Sequence, residues 1–320
     1  MKKILLVSPN WLGDFVMALP ALSRYRAEHP DAAIDVLCKK SVAALWPFVE
    51  GVGSVHVLPS GTRETFRMGL RLRAERYDEA LLLPNSFRSA LIPWLARIPR
   101  RRGTAFHARA LLVNDKVRFS ADEKRLHQTL EYAKILCGSA ACEFGKTGFH
   151  PAGTESGAAS PVVGIVPGAA RGNSKRYPFF AEAAQRVARV RPDVRFRILG
   201  GPGEAPLCAE VASAIGSAAE NMAGKTTLPQ FAAALASCAC VMCNDSGGMH
   251  LASAAGVPVV AVFGCTDPEK TGPIGPGARL VRAEGVRAAR AIAREDPVAI
   301  AALASIDPAR VADAVLACLP

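Results

Sequence analysis

The amino-acid sequence predicts an α/β fold built as two doubly wound, Rossmann-like domains facing each other across a cleft. Three observations point there. Apolar runs of strand length alternate with helical stretches through both halves, the pattern of parallel sheets joined by crossover helices. Two distant segments, Ser8-Pro9-Asn10-Trp11-Leu12-Gly13-Asp14 and Asn244-Asp245-Ser246-Gly247-Gly248-Met249-His250, each follow an apolar run and precede a helix-like stretch. Small and polar residues thus stand at a strand's carboxyl end, where α/β folds bind ligands. Finally, 320 residues of which 50% are hydrophobic and 21% charged suffice for two cores.

Taken in order, residues 4–7 read as a buried parallel strand, and 16–29 as a helix closed by Pro30-Asp31. A strand at 33–38, a short helix at 42–48, a strand at 54–58, a basic helix at 64–75, a strand at 79–83 and a helix at 87–96 follow. The small, polar and aperiodic stretch 151–160 is the candidate linker, which sets the domains at 1–155 and 156–320. The second half restarts with a strand at 162–166, a glycine-bearing loop and a helix at 178–191. Next come a strand at 195–199 ending in Gly200-Gly201-Pro202-Gly203-Glu204, helices at 206–215 and 228–236, a strand at 238–242, the motif loop with a helix through Ala255, and a last strand at 257–263. No repeat of 20 to 50 residues or low-complexity tract appears.

Composition narrows the function. Nine cysteines, an odd and scattered set, suit a reduced cytosolic chain. Cys238, Cys240 and Cys243 have no second pair to complete a zinc site, so no metal is expected. The apolar run after Met1-Lys2-Lys3 stops at Ser8-Pro9, too short for a signal peptide core or a spanning helix. The expectation is a cytoplasmic protein that meets a membrane only peripherally. The net charge of +11 is uneven: residues 1–160 hold 23 Lys and Arg against 15 Asp and Glu, and 63–125 alone hold 15 against 7. That density suits an anionic partner such as phospholipid head groups or a phosphorylated glycolipid, or else a pair of solvated helix faces. The Arg100-Arg101-Arg102 run beside Gly103 is its densest point. Basic residues are not interleaved with aromatics in the manner of nucleic-acid binders, and no nucleic acid is expected.

Individual residues carry candidate chemistry. Asp14, just past the first strand on a Gly13-Asp14 turn, reads either as a general base or as an N-cap. Ser246-Gly247-Gly248 opens a helix whose free amides and positive dipole end suit a diphosphate, with Asp245 before it and His250 one turn in. The alternative is an Asx turn with a core histidine. Lys175 and Arg176 end the glycine-bearing loop 167–174, placed either to neutralise a diphosphate leaving group or to solubilise the surface. Glu204 is placed to bind ribose hydroxyls. No Gly-x-Gly-x-x-Gly follows the first strand and no P-loop lysine motif appears, which argues against a dinucleotide oxidoreductase or a P-loop enzyme.

Together, Ser8 to Asp14, Leu-Pro-Asn-Ser-Phe-Arg-Ser-Ala-Leu at 83–91, Arg-Arg-Gly at 101–103 with Leu-Leu-Val-Asn-Asp at 111–115, Pro-Gly-Ala at 167–169 with Lys-Arg-Tyr-Pro at 175–178, the 244–250 motif and Phe-Gly-Cys-Thr-Asp-Pro at 263–268 form a collinear set. This set resembles glycosyltransferase family 9, and within it the ADP-heptose:lipopolysaccharide heptosyltransferase II group. The resemblance implies a glycosyltransferase B fold and an inverting, metal-independent and cofactor-free transfer of heptose from ADP-L-glycero-β-D-manno-heptose to the first heptose of the lipopolysaccharide inner core. The alternatives are another acceptor, as in heptosyltransferase I, or a nucleotide-sugar epimerase of related fold. Carried over by motif, Asp14 is the general base and Lys175 contacts the diphosphate. Gly13 in the N-terminal domain and Glu204, Asp245, Ser246, Gly247, Gly248 and His250 in the C-terminal one then bind the donor, and Asn85, Ser86, Arg88, Arg100, Arg101 and Arg102 in the N-terminal domain bind the acceptor. Gly248 stands where the family commonly has a larger residue, and Tyr177 where it usually has Trp.

Overall fold

The computed structural model describes residues 1–151, 160–287 and 292–320, so most of the expected linker, 152–159, lies outside the described residues. Contacts divide the chain into two units, Met1–His150 and Pro151–Pro320. Unit 1 runs β1 (Lys3–Val7), α1 (Leu12–Glu28), β2 (Ala33–Cys38), α2 (Lys40–Ala43), β3 (Val52–Val57), α3 (Thr62–Ala74), β4 (Glu79–Leu82), α4 (Phe87–Leu95), β5 (Arg100–Thr104), β6 (Asp115–Val117) and α5 (Gln128–Cys137). Unit 2 runs β7 (Val162–Val166), α6 (Phe180–Val190), β8 (Arg195–Ile198), α7 (Ala205–Ile215), β9 (Ala219–Asn221), α8 (Leu228–Ala236), β10 (Cys240–Asn244), α9 (Gly247–Ala254), β11 (Val259–Phe263), α10 (Pro268–Thr271), β12 (Arg279–Arg282), α11 (Pro297–Ala304) and α12 (Pro308–Leu316).

Each unit holds one parallel six-stranded sheet, in the order β3-β2-β1-β4-β5-β6 in unit 1 and β12-β11-β10-β7-β8-β9 in unit 2. The two orders are the same topology. The middles of the central strands are apolar because helices cover both sheet faces: Ile4, Leu5 and Leu6 in β1 and Val241 and Met242 in β10 are fully buried. In each unit the strand order reverses between the first strand and the fourth, β1 beside β4 and β7 beside β10. Loops leaving two adjacent strands at such a reversal diverge to opposite faces and open a crevice at their carboxyl ends. The loop after β1 leads straight into the first turn of α1, which carries Asp14, and the loops after β4, β7 and β10 carry Asn85, Lys175 and Asp245.

Several expected boundaries move. The first helix begins at Leu12, a full turn before residue 16, because Leu12-Gly13-Asp14 already has helical backbone behind an extended Trp11. Expected at 238–242, the fourth strand of unit 2 runs Cys240–Asn244 instead. Cys238 lies just past the end of α8, its thiol on the Ala234 carbonyl. Strands β5, β6, β9 and β12 were not expected, so 257–263 is not the last strand.

Strand β5 also gives partners within the unit to Arg100, Arg101 and Arg102, the arginines expected as acceptor ligands. They form the amino end of β5, opposite the ligand-binding edge, and their guanidiniums are used inside the unit. Arg100 pairs with Glu79 at 3.2 Å and with Asp115 at 2.7 Å. Arg101 Nε donates to the Leu112 carbonyl at 2.7 Å, and Arg102 Nε to the Ile135 carbonyl at 2.7 Å while its Nη1 meets Asp115 at 3.0 Å. Part of the basic surplus is therefore structural. Arg102→Leu should lower stability by about 1–3 kcal/mol, since it leaves the Ile135 and Lys134 carbonyls without this donor and Asp115 with Arg100 alone, whereas Arg63→Leu on exposed α3 should change it by no more than about 0.5 kcal/mol. Urea denaturation of the two variants against wild type checks the contrast, and equal effects would return the run to the solvated surface.

Candidate functional site

In unit 1 the site begins at the first turn of α1. Asp14 is its third residue, and the N-cap is Trp11, whose side chain makes no cap. The N-cap alternative for Asp14 is thereby excluded, and its half-buried carboxylate is left for other work. One partner reaches it: the hydroxyl of Tyr132, from α5, donates to Asp14 Oδ1 at 2.9 Å. Burial raises the Asp14 pKa above the usual carboxylate range, Glu131 adds to the rise, and the Tyr132 hydrogen bond works against it. Burial and the neighbouring Asp14 hold the Tyr132 phenol protonated, so it is always a donor. A carboxylate made more basic at a strand end is suited to accept a proton.

Beside it, after β4, Asn85 is exposed, and its Oδ1 is held from below. Thr104 Oγ1 at the end of β5 donates to it at 2.5 Å and Arg109 Nη1 at 3.3 Å. Oδ1 is committed, so the amide nitrogen is the end turned outward as a donor. Arg109 is 2% exposed, and burial lowers its guanidinium to about 10. Ser86 caps α4, accepting from the Ser89 amide at 3.3 Å, and Arg88 is exposed with Nη1 on the Ser60 carbonyl at 2.8 Å. Tyr132, Thr104 and Arg109 had no signal in the sequence, because each acts across a distance in the chain that spacing does not reveal.

In unit 2 the fully buried Asn244, last residue of β10, organises the site. Its Nδ2 donates to the Pro167 carbonyl and its Oδ1 accepts from the Tyr177 amide, both at 2.8 Å. Both ends of the Lys175 loop are thus fastened to β10. Tyr177 uses its hydroxyl on the Ile306 carbonyl at 3.0 Å. Lys175 Nζ then reaches Asp245 Oδ2 at 2.5 Å. Ser246 is the N-cap of α9 and makes no side-chain cap, and its hydroxyl is buried without a hydrogen-bond partner. The first amides of α9 have no carbonyl to meet inside the helix and form an anion seat. His250 is buried in the first turn.

Glu204 joins this group through glycine. A Cβ on Gly168 would lie 1.9 Å from Glu204 Oε1, so the carboxylate lies directly over the β7 loop, and its Oε2 accepts from the Gly201 amide at 2.8 Å. Gly248 is similarly constrained: a Cβ there would stand 2.9 Å from Val166 Cγ1, so a larger residue has no room beside this valine. Unit 2 therefore brings together Lys175, Glu204, Asp245, Ser246, Gly247, Gly248 and His250, and unit 1 brings Gly13 and Asp14 to the strand edge that carries Asn85, Ser86 and Arg88. Among the described residues no group of three or more His, Cys, Asp and Glu side chains is arranged to hold a metal ion.

Comparison with known proteins gives a consistent result. The family model described as glycosyltransferase family 9 (heptosyltransferase) matches residues 65–299. Lipopolysaccharide heptosyltransferase 2 of Salmonella typhimurium is 30% identical over 305 residues, 88% of each chain. Lipooligosaccharide heptosyltransferase 2 of Haemophilus influenzae is 28% identical over 305 residues, 87% of this chain and 88% of that one. The solved structure of Escherichia coli ADP-heptose lipopolysaccharide heptosyltransferase II matches with a TM-score of 0.83 and 28% identity, covering 99% of this chain and 98% of that one.

Asn244→Ala should unfold unit 2 more readily, because it strands the buried Tyr177 amide and Pro167 carbonyl. A loss of about 2–4 kcal/mol is expected, read from the urea midpoint; an unchanged midpoint would show that the loop is held by other contacts.

Proposed function

Because the chain belongs to glycosyltransferase family 9, we propose that it transfers heptose from ADP-heptose onto the first heptose of the lipopolysaccharide inner core. The observation that carries this reading is the assembly of Lys175, Asp245, Ser246 and Glu204 where β7 and β10 end: an ammonium, the open amides of α9 and a carboxylate over the neighbouring loop. Those groups match a nucleoside diphosphate, with the amides and Lys175 on the diphosphate and Glu204 on the ribose. Relatives that carry the heptosyltransferase 2 name support the sugar and the acceptor.

Chemically, the acceptor hydroxyl gives its proton to Asp14, and its oxygen forms the new bond to the anomeric carbon from the face opposite the leaving group. The bond from that carbon to the diphosphate oxygen breaks, and ADP departs with the electron pair, so the configuration inverts. Negative charge grows on the leaving oxygen as the bond lengthens. Lys175 and the α9 amides meet it there, doing the work that a divalent cation does elsewhere. Asn85, Ser86 and Arg88 line the acceptor side in this reading.

The acceptor is a membrane glycolipid, and we place the enzyme peripherally on the cytoplasmic face of the inner membrane. Among the described residues no helix is long and apolar enough to cross a membrane. Instead, α3 exposes Arg63, Phe66, Arg67 and Leu70 along one stripe, and α4 packs beside it, with the Gly69 position against Leu95. On α4 Phe87 and Trp94 are also exposed. Aromatic and apolar side chains interleaved with arginines suit the headgroup layer of an anionic bilayer.

ADP release measured with ADP-heptose and a one-heptose lipopolysaccharide acceptor should be brisk, and absent with a heptose-free acceptor. The reverse preference would assign the first transfer step, and isomerised donor without acceptor would indicate an epimerase. Asp14→Asn should cost about 10²–10⁴-fold in turnover with donor affinity nearly intact, while EDTA should leave the rate unchanged. Flotation should show binding to vesicles of phosphatidylcholine with phosphatidylglycerol but not to phosphatidylcholine alone. Replacing Phe66 and Leu70 by serine should abolish flotation while sparing turnover of a detergent-dispersed acceptor.

A further inference from the structure

We propose that Tyr132 is a positioning residue for the transfer step: from α5 it fixes one oxygen of the Asp14 carboxylate so that the other faces the acceptor hydroxyl. The proposal rests on Asp14 being the general base. Three observations carry it. The Tyr132 hydroxyl donates to Asp14 Oδ1 at 2.9 Å, which leaves Oδ2 as the proton-accepting oxygen. The ring is buried at 5% exposure in the interface of α5 with α1, so the hydroxyl cannot swing to water. Finally, Asp14 stands in the first turn of α1 without a capping duty, so nothing in its own helix fixes its side-chain rotation.

A carboxylate hinged only at its own bond rotates, and either oxygen can then meet the substrate. A bound hydroxyl removes that freedom before the acceptor arrives, which is the entropy a positioned catalytic group saves. The same bond sets proton affinity. The groups acting on Asp14 from the packed elements are Tyr132 and Glu131, both on α5, and they pull in opposite directions. The phenol stabilises the ionised carboxylate and Glu131 disfavours it. Tyr132 therefore favours the ionised form of a desolvated aspartate, the form that accepts a proton.

The sign follows. Removing the hydroxyl withdraws a bond that favours the charged form, so the Asp14 pKa must rise and the acidic limb of the kcat/KM profile must move to higher pH. Tyr132→Phe should shift that limb upward by about one unit and lower the plateau about ten-fold or more, with donor Kd unchanged. Placing 3-fluorotyrosine at position 132, a stronger donor of nearly the same shape, should move the limb the other way; this variant also keeps the test open if the phenylalanine form folds poorly. In the Asp14→Asn background, Tyr132→Phe should have no further effect on rate, as expected of two residues acting as one unit. If Asp14→Asn keeps more than a tenth of the rate, the general-base reading falls and the positioning role with it. If Asp14→Asn is inactive but both tyrosine variants leave limb and plateau in place, the positioning role alone is overturned and Tyr132 is only packing.

Discussion

The side-chain amide of Asn244 is the constraint on which unit 2 depends. It is fully buried, and one planar group satisfies a carbonyl at the start of the β7 loop and an amide at its end. Without it two backbone groups in the interior would lack partners, a cost few residues could offset. With it, the glycine-bearing loop, whose Asn173–Lys175 segment is a short 3-10 helix, is tied to one strand at both ends. Lys175 stands between those two ties. Its ammonium meets Asp245, the very next residue after the anchor, so a single strand end places both the cation and its partner. Further bonds tie the same loop to the segment before α11, with Ser174 Oγ accepting from the Asp296 amide at 2.7 Å.

Two carboxylates that follow central strands, Asp14 after β1 and Asp245 after β10, are treated differently, and the difference divides their labour. Asp245 lies against an ammonium, which neutralises it and leaves it a structural partner. Asp14 has a neutral hydroxyl for company and a like charge nearby, with burial as the strongest influence on it. Enzymes commonly separate acid and base roles by setting such environments apart. Here the separation is made with the same topology used twice, one copy carrying the basic carboxylate and the other the cation and the helix amides.

Much of this was legible in the chain. The apolar runs of β1, β7 and β11 are plain, β2 is interrupted only by Asp35, and small residues after β1 and β10 announce ligand-binding strand ends. What escaped notice has physical causes. Strand β5 opens with three arginines, whose aliphatic stems pack while their charged heads find carbonyls and carboxylates, so a charge run concealed a strand. Strands β6, β9 and β12 span only three or four residues and draw their stability from neighbours rather than from any pattern of their own. Tyr132 and Asp14 are 118 positions apart, and Asn244 lies 67 positions from Tyr177. Periodicity describes which face a residue presents; it is silent about which distant side chain waits there.

The strand order has a consequence for how the protein is made. In each sheet the first strand pairs with the fourth, so the central seam joins segments some seventy or more residues apart, as Ile4 with Glu79 and Val163 with Cys240. Closing such loops is slow, and pairing at the seam must wait until everything between has been synthesised. A ribosome-bound chain therefore holds no partial binding edge: β1 has one neighbour until β4 emerges, and β7 one until β10 does. The first unit can complete its seam while the second is still being translated, as is usual for domains that fold as units. Function in each half thus arrives late and all at once, with the last strand of the seam.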